Sequence, residues 1–207
     1  VRGCTVLSDS VDVEGAAIQL WLMQNVSQPI VFVGLQNYFA HYSIVFRKAK
    51  ITTKAYIQVE SDWAAPVLPL TETTPSTYRD PPHTTNFQGL LKKLRSIVSE
   101  GDAIVIDSLA PVFFLEDENP WLATFAFVNS LREIASTVIV SVSKDLGPEG
   151  QLFKQVADLY LELLPITSGF TQELSGQLVV SSRSAGILRE EWTSYYKISE
   201  AGLVLIE

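Results

Sequence analysis

Cysteine is nearly absent from this 207-residue chain: Cys4 stands alone, so no disulfide can form within it, and a reducing, intracellular setting is expected. Histidine occurs only at His41 and His83, and with a single thiol these offer no metal-ligand spacing. No G-x-S-x-G elbow is present to hold up a nucleophilic serine. No apolar run approaches the roughly 18 residues of a membrane span, and no signal peptide is visible, so no membrane partner is expected. Charged residues are few, at 18 % against 47 % hydrophobic. Either a well-buried α/β core or an outer surface covered by partners accounts for that balance. The net charge of −8 excludes a general polyanion binder, so any contact with nucleic acid must use local basic patches. The absence with most consequence is G-x-x-x-x-G-K-[ST], the loop that cradles nucleotide phosphates.

Against that absence stands the strand-like run Asp102-Ala103-Ile104-Val105-Ile106-Asp107-Ser108-Leu109. It carries an acid to a strand end, as P-loop ATPases do with the Walker B carboxylate that faces magnesium. Asp107 therefore has two readings. It orients a magnesium-bound water, or, as a degenerate Walker B-like residue, it caps the turn after its strand; with no phosphate cradle to serve, the second is favoured. Where a phosphate loop would sit, after the first strand, the chain has Ser8-Asp9-Ser10-Val11-Asp12-Val13-Glu14-Gly15, with no lysine and three carboxylates. Those acids oppose a triphosphate and suit the first turn of the following helix. No catalytic residue and no metal site is assigned to this chain.

Hydrophobic patterning gives alternating strands and helices over most of the length. Strands are expected at Cys4–Ser8, Ile30–Leu35, Tyr56–Glu60, Asp102–Leu109 and Thr137–Ser143, with helices at Gly15–Val26 and Phe39–Lys50. A third helix is capped by Asn86, carries Leu90, Leu91, Leu94, Ile97 and Val98 on one stripe, and stops at Gly101. Asn119-Pro120 opens a fourth, with Trp121, Phe125, Val128, Leu131 and Ala135 at helical spacing. From Asp158 short strands (Leu159–Leu164, Gln177–Ser182, Ser194–Ile198, Leu203–Ile206) alternate with glycine turns, which reads as antiparallel hairpins. The expected fold is α/β: a mainly parallel sheet flanked by helices and extended by antiparallel strands, one domain over 1–207. Ser61–Asn86 holds five of the ten prolines and is expected to be an irregular insertion or flexible loop. The chain starts at Val1 without methionine and is expected to be part of a longer protein.

Basic residues gather in two clusters, Arg47, Lys48, Lys50, Lys54 and Lys92, Lys93, Arg95. Near helix C-termini such cations stabilise exposed carbonyls. Their functional reading is contact with an RNA backbone, which the nearby Tyr42 and Tyr56 support. Lys144 joins the RNA-contact candidates because it opens a loop at the sheet's carboxyl edge, where α/β folds bind ligands. His41 reads as a packed or interfacial side chain rather than a general base.

The segment Val31-Phe32-Val33-Gly34-Leu35-Gln36-Asn37-Tyr38-Phe39-Ala40-His41-Tyr42-Ser43-Ile44-Val45 resembles the strand–turn–helix, with its aromatic–His–Tyr signature, of the family of the sixth subunit of the Elongator complex. Thr167–Leu178 is similar to that family's "TGF…D-x-x-G-x-L" hairpin, and Tyr195-Tyr196-Lys197-Ile198 also fits. The resemblance spans most of the chain apart from Ser61–Asn86. It implies a RecA-like fold without a working Walker A motif, set in a two-copy-each hexameric ring with the fourth and fifth Elongator subunits. That ring binds tRNA in an ATP-modulated way and supports carboxymethyl-type modification of wobble uridines. Radical and acetyl-CoA chemistry belongs to a different subunit. No cofactor is expected on this chain, ATP being possible only at the level of the ring, and the compartments implied are cytoplasm and nucleus. The alternatives are the fifth subunit of the same ring and a divergent RecA/KaiC-type ATPase.

Overall fold

Unbroken apolar runs become the buried strands of one ten-stranded sheet in the computed structural model, which describes residues 3–10, 15–36, 39–59, 76–78, 86–111, 119–166, 174–199 and 202–206. In chain order the elements are β1 (Gly3–Asp9), α1 (Ala16–Gln24), β2 (Ile30–Gly34), α2 (Phe39–Ala49), β3 (Thr53–Val59), β4 (Ser76–Tyr78), α3 (Asn86–Ile97), β5 (Ala103–Ile106), α4 (Pro120–Ile134) and β6 (Thr137–Ser143). Two 3-10 helices, Lys144–Leu146 and Pro148–Gln155, lead to β7 (Leu159–Leu164), β8 (Gly176–Ser184), β9 (Ile187–Ser199) and β10 (Gly202–Ile206). The sheet order is β10-β9-β8-β7-β1-β6-β5-β2-β3-β4. Pairs from β7 to β4 are parallel and those from β7 to β10 antiparallel.

Buried parallel strands need cover on both faces, and two helix layers supply it. Against one face α1 and α2 pack Ile18, Leu22, Met23 and Phe46 on Phe32, Tyr56, Val105 and Leu161. Phe32 sits at the centre of an aromatic group there, 4.7 Å from Tyr42, 4.9 Å from Phe46 and 5.5 Å from Tyr56, ring centre to ring centre. On the other face α3, α4 and the second 3-10 helix bury Leu90, Leu94, Phe127, Leu131 and Phe153 on Val31, Ile104 and Val140. No helix among the described residues is long and apolar enough to cross a membrane.

Several elements differ from the sequence expectation for physical reasons. β9 begins at Ile187, not Ser194: its first half pairs with Ser181–Ser184 of β8, and the exposed Arg189-Glu190-Glu191 carries no apolar alternation to reveal it. A two-residue turn, with Ala185 at φ 50° and Gly186 at φ 80°, joins it to β8. Within the stretch expected to be irregular, Ser76–Tyr78 forms the short edge strand β4 beside β3; the rest of 60–85 lies outside the described residues. The same holds for Asp12, Glu14, His83 and most of the Thr167–Leu178 hairpin. The loop expected to open at Lys144 is largely 3-10 helical.

Candidate functional site

Two crevices open at the carboxyl edge of the parallel strands. β1 hands over to α1 on one face while its neighbour β6 hands over to the 3-10 helices on the other. β2 and β5 diverge in the same way, into α2 and towards α4. Such divergence is where α/β sheets bind ligands. A cleft of about 570 Å³ spans both crevices, lined by Asp9, Gln19, Tyr42, Asp107, Ser141 and Asp145 among others.

Asp107, the first residue after β5, is the most constrained group in the cleft. Its Oδ1 accepts the Leu35 N–H at 2.8 Å and the Ser108 N–H at 2.7 Å. Its Oδ2 accepts the Gln36 N–H at 2.9 Å and the Tyr42 hydroxyl at 2.8 Å. Burial pushes the carboxyl above the ordinary range, against the pull of those four donors. The carboxylate thus holds the start of the β2–α2 connection and helix α2 on the end of β5. On the next strand, the Gln58 Oε1 accepts the Phe39 N–H at 3.1 Å and satisfies an orphan donor at the start of α2.

The first crevice is held as tightly. Asp9 Oδ2 accepts the Gly15 N–H at 3.2 Å, fixing the entry to α1. Gly15 is closely approached: an added Cβ would lie 2.8 Å from Asp9 Oδ2 and 2.9 Å from Leu7 Cδ2, so those side chains would have to shift. From the next turn Gln19, buried, sends its Nε2 to the Ile106 carbonyl at 2.7 Å and to Ser141 Oγ at 3.2 Å. Gln19 and Gln58 were not singled out from sequence. Their signal is a lone amide within an apolar stripe, legible only once the neighbouring strand ends are known.

The cleft lining among the described residues holds Asp9, Asp107 and Asp145 but neither lysine nor arginine. The backbone amide nearest the helix start is bonded to Asp9, and the carboxylate that would face magnesium is bonded by four internal donors. Among the described residues no group of three or more His, Cys, Asp or Glu could hold a metal ion.

The basic candidates separate in space. Arg47, Lys48 and Lys50 are exposed at the end of α2, on the amino edge of the sheet, away from the cleft. Lys54, at the start of β3, is bound to Asp102 at 2.5 Å and to Ser99 Oγ at 3.2 Å. Lys144 is at the carboxyl edge but is only 22 % exposed, its Nζ 2.9 Å from Glu162 Oε1 and 2.9 Å from the Leu163 carbonyl. Lys154 also reaches Glu162, at 3.5 Å, and lies 4.8 Å from the centre of the Tyr160 ring. Burial raises the Glu162 carboxyl, but the two lysines outweigh it and hold it below its ordinary value. Tyr56 is buried in the core and Tyr42 is bonded to Asp107, so neither ring stands ready to stack on a base. His41 is exposed and packs edge-on against Tyr42. Cys4 is buried with its thiol pushed up to about 12, an inert side chain.

A mainly parallel sheet between two helical layers, ending in antiparallel hairpins, places the chain in the RecA-like fold class. Among solved structures it is similar to a KaiC-like protein from the hyperthermophilic archaeon Pyrococcus horikoshii OT3, with a TM-score of 0.60, 14 % identity, and coverage of 99 % of this chain and 90 % of that one. At that identity the similarity carries the fold. No protein-family model and no curated protein matches the chain by sequence.

Proposed function

We propose that this chain is a non-catalytic, RecA-like building block of a larger assembly, and that the assembly is the Elongator ring, with this chain as its sixth subunit. The observation that carries the first part is the Asp107 carboxylate, saturated by Leu35, Gln36, Tyr42 and Ser108 in a cleft whose described lining is acidic. A group so held stabilises a fold; turning it to a magnesium-bound water requires breaking contacts that anchor α2. The finer assignment is supported by the Val31–Val45 segment. Leu35, Gln36 and Tyr42, which build the Asp107 clamp, all belong to the stretch that resembles the Elongator family.

In this reading the partners are the fourth and fifth Elongator subunits, two copies of each, and tRNA. The chain supports wobble-uridine modification in cytoplasm and nucleus without reacting itself, and any ATP used by the ring is held mainly by neighbours. The test is co-expression with those two subunits followed by native mass measurement. A hexamer containing two copies of this chain is expected; a chain that stays monomeric overturns the assignment.

A second reading, a divergent RecA/KaiC-type ATPase, is favoured by one observation, the cleft of about 570 Å³ at the sheet's carboxyl edge. Nucleotide titration of the isolated chain separates the two.

A further inference from the structure

The end of α2, on the amino edge of the sheet, carries charge of the opposite sign to the cleft; Glu100 and Glu133 are exposed elsewhere along that edge. Three cations, Arg47, Lys48 and Lys50, fall within four residues at the end of α2, all exposed. None makes an ion pair or side-chain hydrogen bond among the described residues. By contrast Lys54, Arg132, Lys144 and Lys154 are each matched to a carboxylate. The α2 terminus is firmly placed: the Ile51 N–H reaches the Phe46 carbonyl at 2.9 Å, and Gln24 Nε2 donates to the Ala49 carbonyl at 2.9 Å. Lys50 adopts φ 55° to close this turn, and all three cations are exposed. Across Lys54, which bonds Ser99, the end of α3 adds the exposed Arg95 to the same edge.

We propose that Arg47, Lys48 and Lys50 form a docking patch for a nucleic-acid phosphate backbone, on the edge of the sheet opposite the acid-lined cleft. A small phosphate ligand does not suit the surface, because a helix C-terminus offers carbonyls rather than N–H groups. An extended polyanion does, since it meets spread charges one phosphate at a time and gains from counterion release. Gln24, which bonds the Ala49 carbonyl, and Ser99, which bonds Lys54, are polar, unlike the apolar centre of a protein interface. The inference rests on the nucleic-acid part of the proposed function and selects Arg47, Lys48 and Lys50 from the candidate RNA contacts, leaving out Lys54 and Lys144 as internally engaged.

The experiment measures anisotropy of a fluorescein-labelled oligouridine, and separately of a labelled tRNA, with the full chain at about 50 mM salt. Arg47→Gln/Lys48→Gln/Lys50→Gln is expected to weaken binding about tenfold or more and to flatten the log–log salt slope by about 2, from three contacts at about 0.7 each. Lys144→Gln, folded by circular dichroism, is expected to leave affinity unchanged. No binding by the wild type, or equal binding by the triple variant, overturns the inference. So does displacement by polyglutamate as effective as by unlabelled RNA, which would make the patch an acidic-protein site. Ring assembly is read independently by native mass. An intact ring with an inert patch removes this inference alone, whereas RNA binding by a chain that never joins the ring removes only the subunit assignment.

Discussion

The Tyr42 hydroxyl donates to Asp107 Oδ2 at 2.8 Å, joining helix α2 to the end of β5 across 65 positions of sequence. With the Leu35 and Gln36 N–H groups it makes Asp107 a structural hub. Asp107→Ala leaves those donors without their acceptor in a site where the residue is 6 % exposed. The expected cost is about 2–4 kcal/mol of stability, with Tyr42→Phe costing about 1 kcal/mol, both read by urea unfolding. A carboxylate kept for a ligand would behave oppositely, its removal leaving stability unchanged or raised.

Asp102 has a different environment, with Lys54 at 2.5 Å and the Ser99 N–H at 2.7 Å. Burial alone raises its carboxyl, but these partners together hold it below its ordinary value. A carboxyl depressed on folding stabilises the protein above its unfolded value of about 3.9, and that contribution is lost as pH falls through the folded value. Asp102→Asn is therefore expected to lower the Tm at neutral pH, and the gap to wild type is expected to close below about pH 4. A gap independent of pH would show that the ionised pair contributes nothing.

Among the described residues, Arg183 on β8 binds only backbone carbonyls with its side chain. It donates to Ala157 at 2.8 Å, Gly186 at 2.8 Å, Gln155 at 3.2 Å and also to Lys154. It thereby fastens the antiparallel hairpin to the end of the 3-10 helix Pro148–Gln155, where carbonyls lack intrahelical partners. Lysine cannot reproduce that fork of donors. Arg183→Lys is expected to speed amide exchange in Val156–Asp158 and the adjoining helix while β5 and β6 keep their protection. Uniform acceleration across the sheet would instead mean global destabilisation.

The β8–β9 turn is poorly matched to its residues. Ala185 sits at φ 50°, a left-handed conformation that costs a residue with a Cβ about 1–2 kcal/mol, and Gly186 follows at φ 80°. Asn-Gly is the preferred pair for such a two-residue hairpin. Ala185→Asn is expected to raise the Tm by about 2–4 °C, read by differential scanning calorimetry. A lower Tm would contradict the turn geometry.

Where burial was two-sided, the sequence was readable. Thr137–Ser143 and Leu159–Leu164 have the bounds their apolar runs predict, and Asn119 caps α4 by accepting the Leu122 N–H at 3.1 Å. The parallel sheet with antiparallel hairpins follows from those runs and turns. The first half of β9 was hidden because exposed strands carry no apolar alternation, as Arg189-Glu190-Glu191 shows. The candidate site was only partly legible. Asp107 could be found from its strand, but its donors lie about 70 positions away, at Leu35, Gln36 and Tyr42. Tyr56 looked available beside lysines until the fold buried it under Phe39, 4.9 Å away, and Phe32. Lys144 looked exposed at a loop start, but Glu162 meets it from β7, a partner 18 positions on.

The most direct measurement is calorimetric titration of magnesium-ATP into the isolated chain. The account predicts no saturable binding up to millimolar nucleotide, in wild type and in the Gln19→Ala variant alike. Submillimolar binding that disappears in a folded Asp107→Asn variant would contradict it, because Asp107 would then serve a nucleotide rather than the turn it holds.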